Sequence, residues 1–435
     1  MSREMKDSGI GGIGQIPENW EICPMKTYFS FGKGLSITKS DLTDNGVSVL
    51  SYGQIHSRNN PKVSTPNFLL KKLPMEKAQK QSLTSVGDFI FADTSEDRNG
   101  CGNCNYIDKD GIYAGYHTII ARVNNCPHTK YFGYLFMTDA WRFQIRRELT
   151  EVKLYSVSQK VLKRANIVIP PETERISIVH FLDRKCTAID TAIEKTKKSI
   201  EKLEEYKKAV ITKAVTKGID PNAKMKDSGV EWIGEIPEEW EVKQLRTYFS
   251  RRINKNIYLQ ESNLLSLSYG HIVRKNIDTK EGLLPESFDG YNIVEDGDIV
   301  IRGTDLQNDH RSLRTGLVTE RGIITSAYIT LKPKEDVNSV YYHYLLHCYD
   351  ISKVFYSMGG GLRQSLDYWE FIRMPVLRPT DREQEEIISY IKTKCTAIDA
   401  AIEKKKKAIE KWEEYKKSLI YYTVTGKIDC RNEVI

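Results

Sequence analysis

One long charged segment occurs twice in this chain. KCTAIDTAIEKTKKSIEKLEEYKKAVITKAVTKGID begins at Lys185 and KCTAIDAAIEKKKKAIEKWEEYKKSLIYYTVTGKID at Lys394, in register at a constant offset of 209 without a gap. Loops drift in length, so a gapless repeat over a charged, glycine-poor stretch requires a helix whose register matters. With Ile189 at heptad position d, the d series reads Leu182, Ile189, Thr196, Leu203, Val210 and the a series Val179, Cys186, Ile193, Ile200, Lys207, Ala214. The second copy gives Ile391, Ile398, Lys405, Trp412, Leu419 and Ile388, Cys395, Ile402, Ile409, Lys416, Thr423. Apolar spacing of 3 and 4 over several heptads predicts a coiled coil. The polar interruptions coincide in the two copies, as expected if the helices pack on each other and must fix one register.

The helix limits are also legible. Thr380-Asp381-Arg382-Glu383 reads as a capping box, Pro171-Glu172-Thr173-Glu174 is a less definite start, and Gly218 and Gly426 lie just past the far ends. Helices over 173–216 and 382–424 are predicted, packed antiparallel, each about 43 residues or roughly 65 Å long. Position g is broadly apolar or small: Ile178, Ala192 and Tyr206, then Ile387, Ala401, Ala408, Tyr415 and Tyr422. That stripe is wider than a two-stranded coil needs. It either packs on the chain's own globular regions or receives helices from a partner subunit, and the second reading is preferred.

The duplication extends to the globular parts. MKDSGIGGIGQIPENWE from Met5 returns as MKDSGVEWIGEIPEEWE from Met225, TYFS at 27 returns at 247, LSYG at 50 returns at 267, and GDFI at 87 returns as GDIV at 297. The offset falls from 220 to 217 to 210, so the second copy is shorter in its loops. Residues 1–170 and 218–379 therefore read as two related globular domains, 171–217 and 380–430 as the helices with their exits, and 431–435 as a tail. If the helices are antiparallel the order is nearly cyclic, with Asp429 expected near Met5. Pro17 and Pro237 are expected to fix turns, and Trp20 and Trp240 to be buried anchors.

Short runs rich in β-branched and aromatic residues, at 85–94, 111–123, 165–171, 295–304, 322–333 and 373–379, read as strands. More helical text lies at 129–149 and 339–357. The expected fold class is α/β (α+β): two similar globular domains separated by two long antiparallel coiled-coil helices, pseudo-twofold and nearly cyclic. Loops after the repeated motifs diverge between the halves. The first carries Gln54, His56, Arg58, Asn59, Lys62, Thr94, Arg98 and Asn99; the second carries His271, Arg274, Lys275, Arg302, Asp305, Asn308, Arg311 and Arg314. Forked donors such as Arg, Asn and Gln suit base edges, and Lys and Arg neutralise phosphates, so these are the candidate DNA-binding residues.

A formal charge of +7 permits an acidic partner without requiring one. No run of 18 apolar residues and no signal-peptide pattern appears, so a soluble, cytoplasmic protein is expected. Eight irregularly spaced cysteines suggest reduced thiols. Catalytic signatures are missing: GGGLRQS at 359 lacks the Gly-Lys-Ser/Thr ending of a phosphate loop, and Ile169-Pro170-Pro171-Glu172 lacks the flanking residues of an amino-methyltransferase tetrapeptide. Cys101 and Cys104, with Cys126 and His128, are the one metal-like set; free thiols are preferred and no metal is expected.

Two variable regions, each followed by a near-identical helix of the form PP-x-x-E…AID-x-AI-x-K…EYKK…VTGKID, resemble the specificity subunit of type I restriction-modification enzymes. Val215-Thr216-Lys217-Gly218 in place of VTGK, and Arg175 in place of Gln384, are small departures at the helix ends. The resemblance implies a non-catalytic subunit that reads double-stranded DNA through two target recognition domains, with the helices setting the spacer of a bipartite, asymmetric site. It also implies two methyltransferase subunits, which would hold S-adenosylmethionine, and restriction/translocase subunits as partners. A self-contained DNA methyltransferase or nuclease, or a coiled-coil scaffold joining two protein-binding domains, are the competing readings.

Overall fold

The computed structural model describes residues 3–124, 126–149, 154–277, 287–306, 313–360 and 365–432. The chain divides into two compact units, one of residues 1–196 with 407–435 and one of residues 197–406. Both boundaries fall inside long helices, Glu172–Lys217 and Asp381–Val424.

In the first unit the repeated entry sequence forms a hairpin, Met5–Asp7 against Gln15–Pro17. Its main antiparallel sheet has the spatial order Cys104–Tyr106, Phe89–Ala92, Thr118–Val123, Phe29–Lys33. A second sheet orders Lys71–Leu73, Val47–Leu50, Ile112–Ala114 and Leu83–Thr84, with one parallel pair between Val47–Leu50 and Ile112–Ala114. Two helices, Lys130–Met137 and Asp139–Arg147, pack an aromatic core of Phe29, Phe89, Phe132, Phe136 and Trp141. Strand Asn166–Ile169 then pairs with Glu21–Pro24, so the exit toward the helix is stitched to the entry.

The second unit repeats the plan: hairpin Met225–Asp227 with Glu235–Pro237, sheet order Phe249–Arg251, Ile329–Pro333, Ile299–Ile301, Thr315–Leu317, and exit strand Pro375–Arg378 on Glu241–Gln244. The predicted helical text at 339–357 forms Ser339–Ile351 followed by a 3-10 turn, Val354–Ser357.

Both units bury the same joint. Trp20 and Trp240 are enclosed, each backbone N–H donates to the carbonyl of Pro17 or Pro237 at 3.0 Å, and each indole donates to a first-turn carboxylate, Glu174 or Glu383, at 3.0 Å. Those glutamates are in register in the two helix copies. The indole also covers the glycine that ends the other helix segment of its unit: Trp20 lies over Gly426 and Trp240 over Gly218, both with positive φ. Tyr131 donates to the Val424 carbonyl at 2.8 Å and Tyr341 to that of Val215 at 3.3 Å.

Within each unit the helix segments run antiparallel. In the first, Asp183 bonds Tyr134 and Val424 bonds Tyr131 of the same short helix, while farther along Lys416 bonds Asp190. In the second, Glu383 and Gly218 meet at Trp240, while Lys207 bonds Asp399. These are one ion pair used twice, because Asp190 matches Asp399 and Lys207 matches Lys416 in the repeat. The lysines that interrupt the a series therefore bind the Asp of the repeated AID triplet.

The departures between the copies preserve contacts. Arg175 donates to the Pro170 carbonyl at 3.0 Å and Gln384 to that of Pro379 at 3.1 Å, the same reach with two side chains. Lys217 and Lys427, transposed against their glycines, donate to the carbonyls of Ile233 and Ile13, which are equivalent positions. The Lys427 contact, with Tyr421 bonded to the Gly12 and Ile13 carbonyls, seats the chain's end on its opening hairpin.

Candidate nucleic-acid interface

In the first unit the repeated LSYG is followed by a helical turn, Tyr52–Ile55, because Gln54 at its third position accepts the Ser51 N–H at 3.0 Å. Gln54 is thus engaged with its own backbone. The turn and the 94–100 loop form one wall of a cleft of about 1230 Å³, to which Asn103, Arg142 and Arg146 contribute and which the helix end at Lys417–Tyr422 also lines. Three predicted residues, His56, Lys62 and Asn99, line it; Arg58, Asn59 and Arg98 are exposed.

His56 ties the two loops together. Its Nε2 faces the Thr94 carbonyl at 2.8 Å, a pure acceptor, so Nε2 carries the hydrogen and Nδ1 accepts from the Asn103 amide at 3.0 Å. Thr94 donates to Asp93 at 2.7 Å. Lys62 sits at φ 64, with its N–H on Asn60, and is half-buried; burial, with the Arg142 charge, pushes its ammonium down to about 8. Arg146 donates to the Asn99 carbonyl at 2.7 Å and pairs with Asp139, while Arg142 is buried and donates to the Phe136 carbonyl at 2.8 Å.

Sequence reasoning missed Tyr52, Tyr116 and His117, whose rings cluster with centroids 5.4 to 6.0 Å apart around the same loops. It also missed Asn103, in the turn before strand Cys104–Tyr106, and Arg146, on helix Asp139–Arg147, which position loop residues from outside the two predicted loops.

In the second unit the same LSYG becomes a hairpin, Leu265–Ser268 against His271–Arg274, turning through Tyr269 and Gly270 at φ 47 and 80. His271, Arg274 and Lys275 are exposed on it, and Arg274 makes a forked pair with Glu320. Arg314 corrects the expectation of a DNA-facing side chain. It is wholly buried, stacks on Tyr356, and donates to the carbonyls of Arg302, Thr304 and Asp305 at 3.1, 2.7 and 3.1 Å. Five fixed donors make arginine a clamp for a loop whose carbonyls turn inward. Arg302 and Asp305 are half-buried on that clamped loop. Asn308 and Arg311 lie outside the described residues.

The g stripe splits by depth. Ile178 and Ile387 are buried in the cores of their own units, which corrects their assignment to a partner surface: the first shares its core with Tyr131, Ile167 and Val168, the second with Tyr341, Val376 and Leu377. Ala192, Ala401 and Ala408 are half-buried, while Tyr206, Tyr415 and Tyr422 are exposed, as is Trp412 beside Tyr415. Cys101 and Cys104 are free thiols in the first core, the latter pushed up to about 12 by burial. Among the described residues no group of three His, Cys, Asp or Glu side chains could hold a metal ion, and no helix is long and apolar enough to cross a membrane.

Two similar α/β units, each built on the same helix joint and each carrying different polar loops, define a duplicated recognition scaffold. Residues 17–205 match the type I restriction modification DNA specificity domain. The chain is 25% identical over 433 residues to a putative type I restriction enzyme MjaX specificity subunit of Methanocaldococcus jannaschii, covering 96% of this chain and 95% of that one. It is 26% identical over 349 residues to the MjaVIII specificity subunit of the same organism, covering 75% and 76%. In fold it matches a chain from a study of complex assembly and conformational transition of the type I R-M system, with TM-score 0.68, 13% identity and coverage of 95% and 99%. It also matches the HsdS subunit of Thermoanaerobacter tengcongensis, with TM-score 0.52, 13% identity and coverage of 95% and 98%. Residues 17–205 thus carry a type I restriction modification DNA specificity domain, and over nearly its whole length the chain is similar to type I restriction enzyme specificity subunits.

Proposed function

We propose that each unit reads one half of a bipartite, asymmetric DNA site, and that the paired helices set the spacer. The chain performs no chemistry itself in this reading. Two methyltransferase subunits, holding S-adenosylmethionine, dock on the exposed part of the g stripe at Tyr206, Tyr415 and Tyr422, and restriction/translocase subunits join that assembly. The observation that carries the reading is the contrast between frame and loops. The Trp–Glu, Tyr–carbonyl and Lys–Asp contacts recur in both units, whereas LSYG opens a helical turn in one and a hairpin in the other. Equal frames with unequal loops suit two different half-sites.

The test is a domain exchange. Replacing residues 241–378 with the corresponding region of a related subunit, in the assembled methyltransferase, is expected to change one half of the methylated motif and leave the other intact. A change in both halves, or in neither, would refute the assignment. Binding is also expected to weaken steeply with salt, since phosphate contacts release counterions.

A further inference from the structure

The segment after the first strand of the second unit is built unlike its counterpart. In the first unit, Leu35 and Ile37 follow strand Phe29–Lys33 and fold into a small core with Val49, Leu73 and Tyr113. In the second, strand Phe249–Arg251 is followed by Ile257, Tyr258 and Leu259, which are 65%, 83% and 57% exposed. Three consecutive large apolar side chains in water are unfavourable unless something covers them in the working state.

This tip is held rigidly. Asn256 is fully buried; its amide donates to the Glu261 carbonyl at 2.9 Å and its Oδ1 accepts the Glu261 N–H at 3.1 Å, closing the loop. Its backbone N–H donates to Tyr291 at 3.0 Å, and Leu259 N–H returns to the Asn256 carbonyl at 2.8 Å. Leu259 adopts φ 49, a left-handed conformation a branched side chain reaches only when its surroundings impose it. From Thr247 to Gln260 the chain has Arg251, Arg252 and Lys255 and no Asp or Glu, and Glu261, which follows, has its carboxylate paired with Arg321. Arg252 pairs with Asp298, while Arg251 lies over Tyr368 and Lys255 donates to the Gly290 carbonyl.

We propose that the Ile257–Leu259 tip is an apolar wedge that enters the minor groove of the DNA bound by the second unit. Arg251 and Lys255 would meet the flanking phosphates, and Tyr258 and Leu259 would part a base step and bend the duplex. Apolar wedges on a basic surface act in this way, repaying the unstacking with added contact. The inference rests on the DNA-reading function proposed above and adds to it a contact that bends the site without selecting its sequence.

The experiment uses the subunit assembled with its methyltransferase subunits and a duplex carrying its own methylated motif, with dyes at both ends to report bending. Tyr258→Ser with Leu259→Ser is expected to lower affinity at least tenfold, about 1.4 kcal/mol, and to remove the bend while the methylated motif stays the same. Tyr258→Phe is expected to keep both. Wild-type bending and affinity in the double variant would overturn the wedge, as would loss of subunit assembly in sizing chromatography, which would make the tip a protein contact. If the wild-type assembly binds no duplex, the DNA-reading function itself falls, a result distinct from either.

Discussion

Replacing Trp240 by Phe should cost more than replacing Trp20 by Phe, although the two indoles occupy equivalent joints. Each change removes a hydrogen bond to a carboxylate, worth about 1.5–3 kcal/mol, and leaves a small void worth about 1 kcal/mol. In the second unit Glu383 then retains, among the described residues, the Thr380 hydroxyl at 3.5 Å. In the first, Glu174 keeps the guanidinium of Arg3, which pairs with both of its oxygens. The position equivalent to Arg3 is Ala223. The expected losses are therefore about 3 kcal/mol at Trp240 and about 2 kcal/mol at Trp20, from the same terms with one donor retained. Hydrogen exchange read separately on the first turns at 172–176 and 381–385, across a urea series, measures the two losses in one chain. Adding Arg3→Ala to Trp20→Phe should raise its cost to that of Trp240→Phe. A Trp20→Phe loss equal to or larger than that at Trp240, with Arg3 present, would refute the role of the retained partner.

Lys207→Leu and Lys416→Leu should each stabilise the chain by roughly 0.5 kcal/mol, because a solvated ion pair is worth about 0.2–1 kcal/mol and a half-buried leucine about 1 kcal/mol; urea midpoints check this, and a shift to lower urea would refute it. Raising pH from 7 to 9 should weaken DNA binding through loss of the Lys62 proton near pH 8, and Lys62→Arg should flatten the response in a binding titration. His343 and His347 are pushed down to about 3 and about 4 by burial, then by neighbouring histidine charge. The unfolded chain takes up protons there between about pH 6.5 and 4 that the native unit refuses, so stability falls as pH drops through that window. His343→Leu with His347→Leu should remove that slope in urea midpoints taken at pH 7 and 5. Arg314→Lys should leave the core sheet intact but raise hydrogen exchange across 302–306, since a single ammonium nitrogen cannot occupy the two positions from which Nη1 holds the Arg302 and Thr304 carbonyls and Nη2 that of Asp305.

Much of the frame was legible because its determinants are local and repeated. Helices predicted over 173–216 and 382–424 run over Glu172–Lys217 and Asp381–Val424, since heptads, caps and terminal glycines act within a few residues of themselves. The buried role of Trp20 and Trp240 followed from the same repetition. The site was less legible. Arg314 reads like any loop arginine, and only the inward-turned carbonyls of 302–305 make it a clamp. Ile178 and Tyr206 occupy one heptad position, yet the first lies beneath its own domain and the second stands in solvent.

The sequence by itself determined the duplication and the two helices with their register, because periodicity and pairing partners are written along the chain. Only the tertiary structure decided which polar residues face outward, and that LSYG opens a helical turn before Gln54 but a hairpin before His271. Burial and loop conformation depend on side chains far apart in sequence, whose energies no local pattern carries.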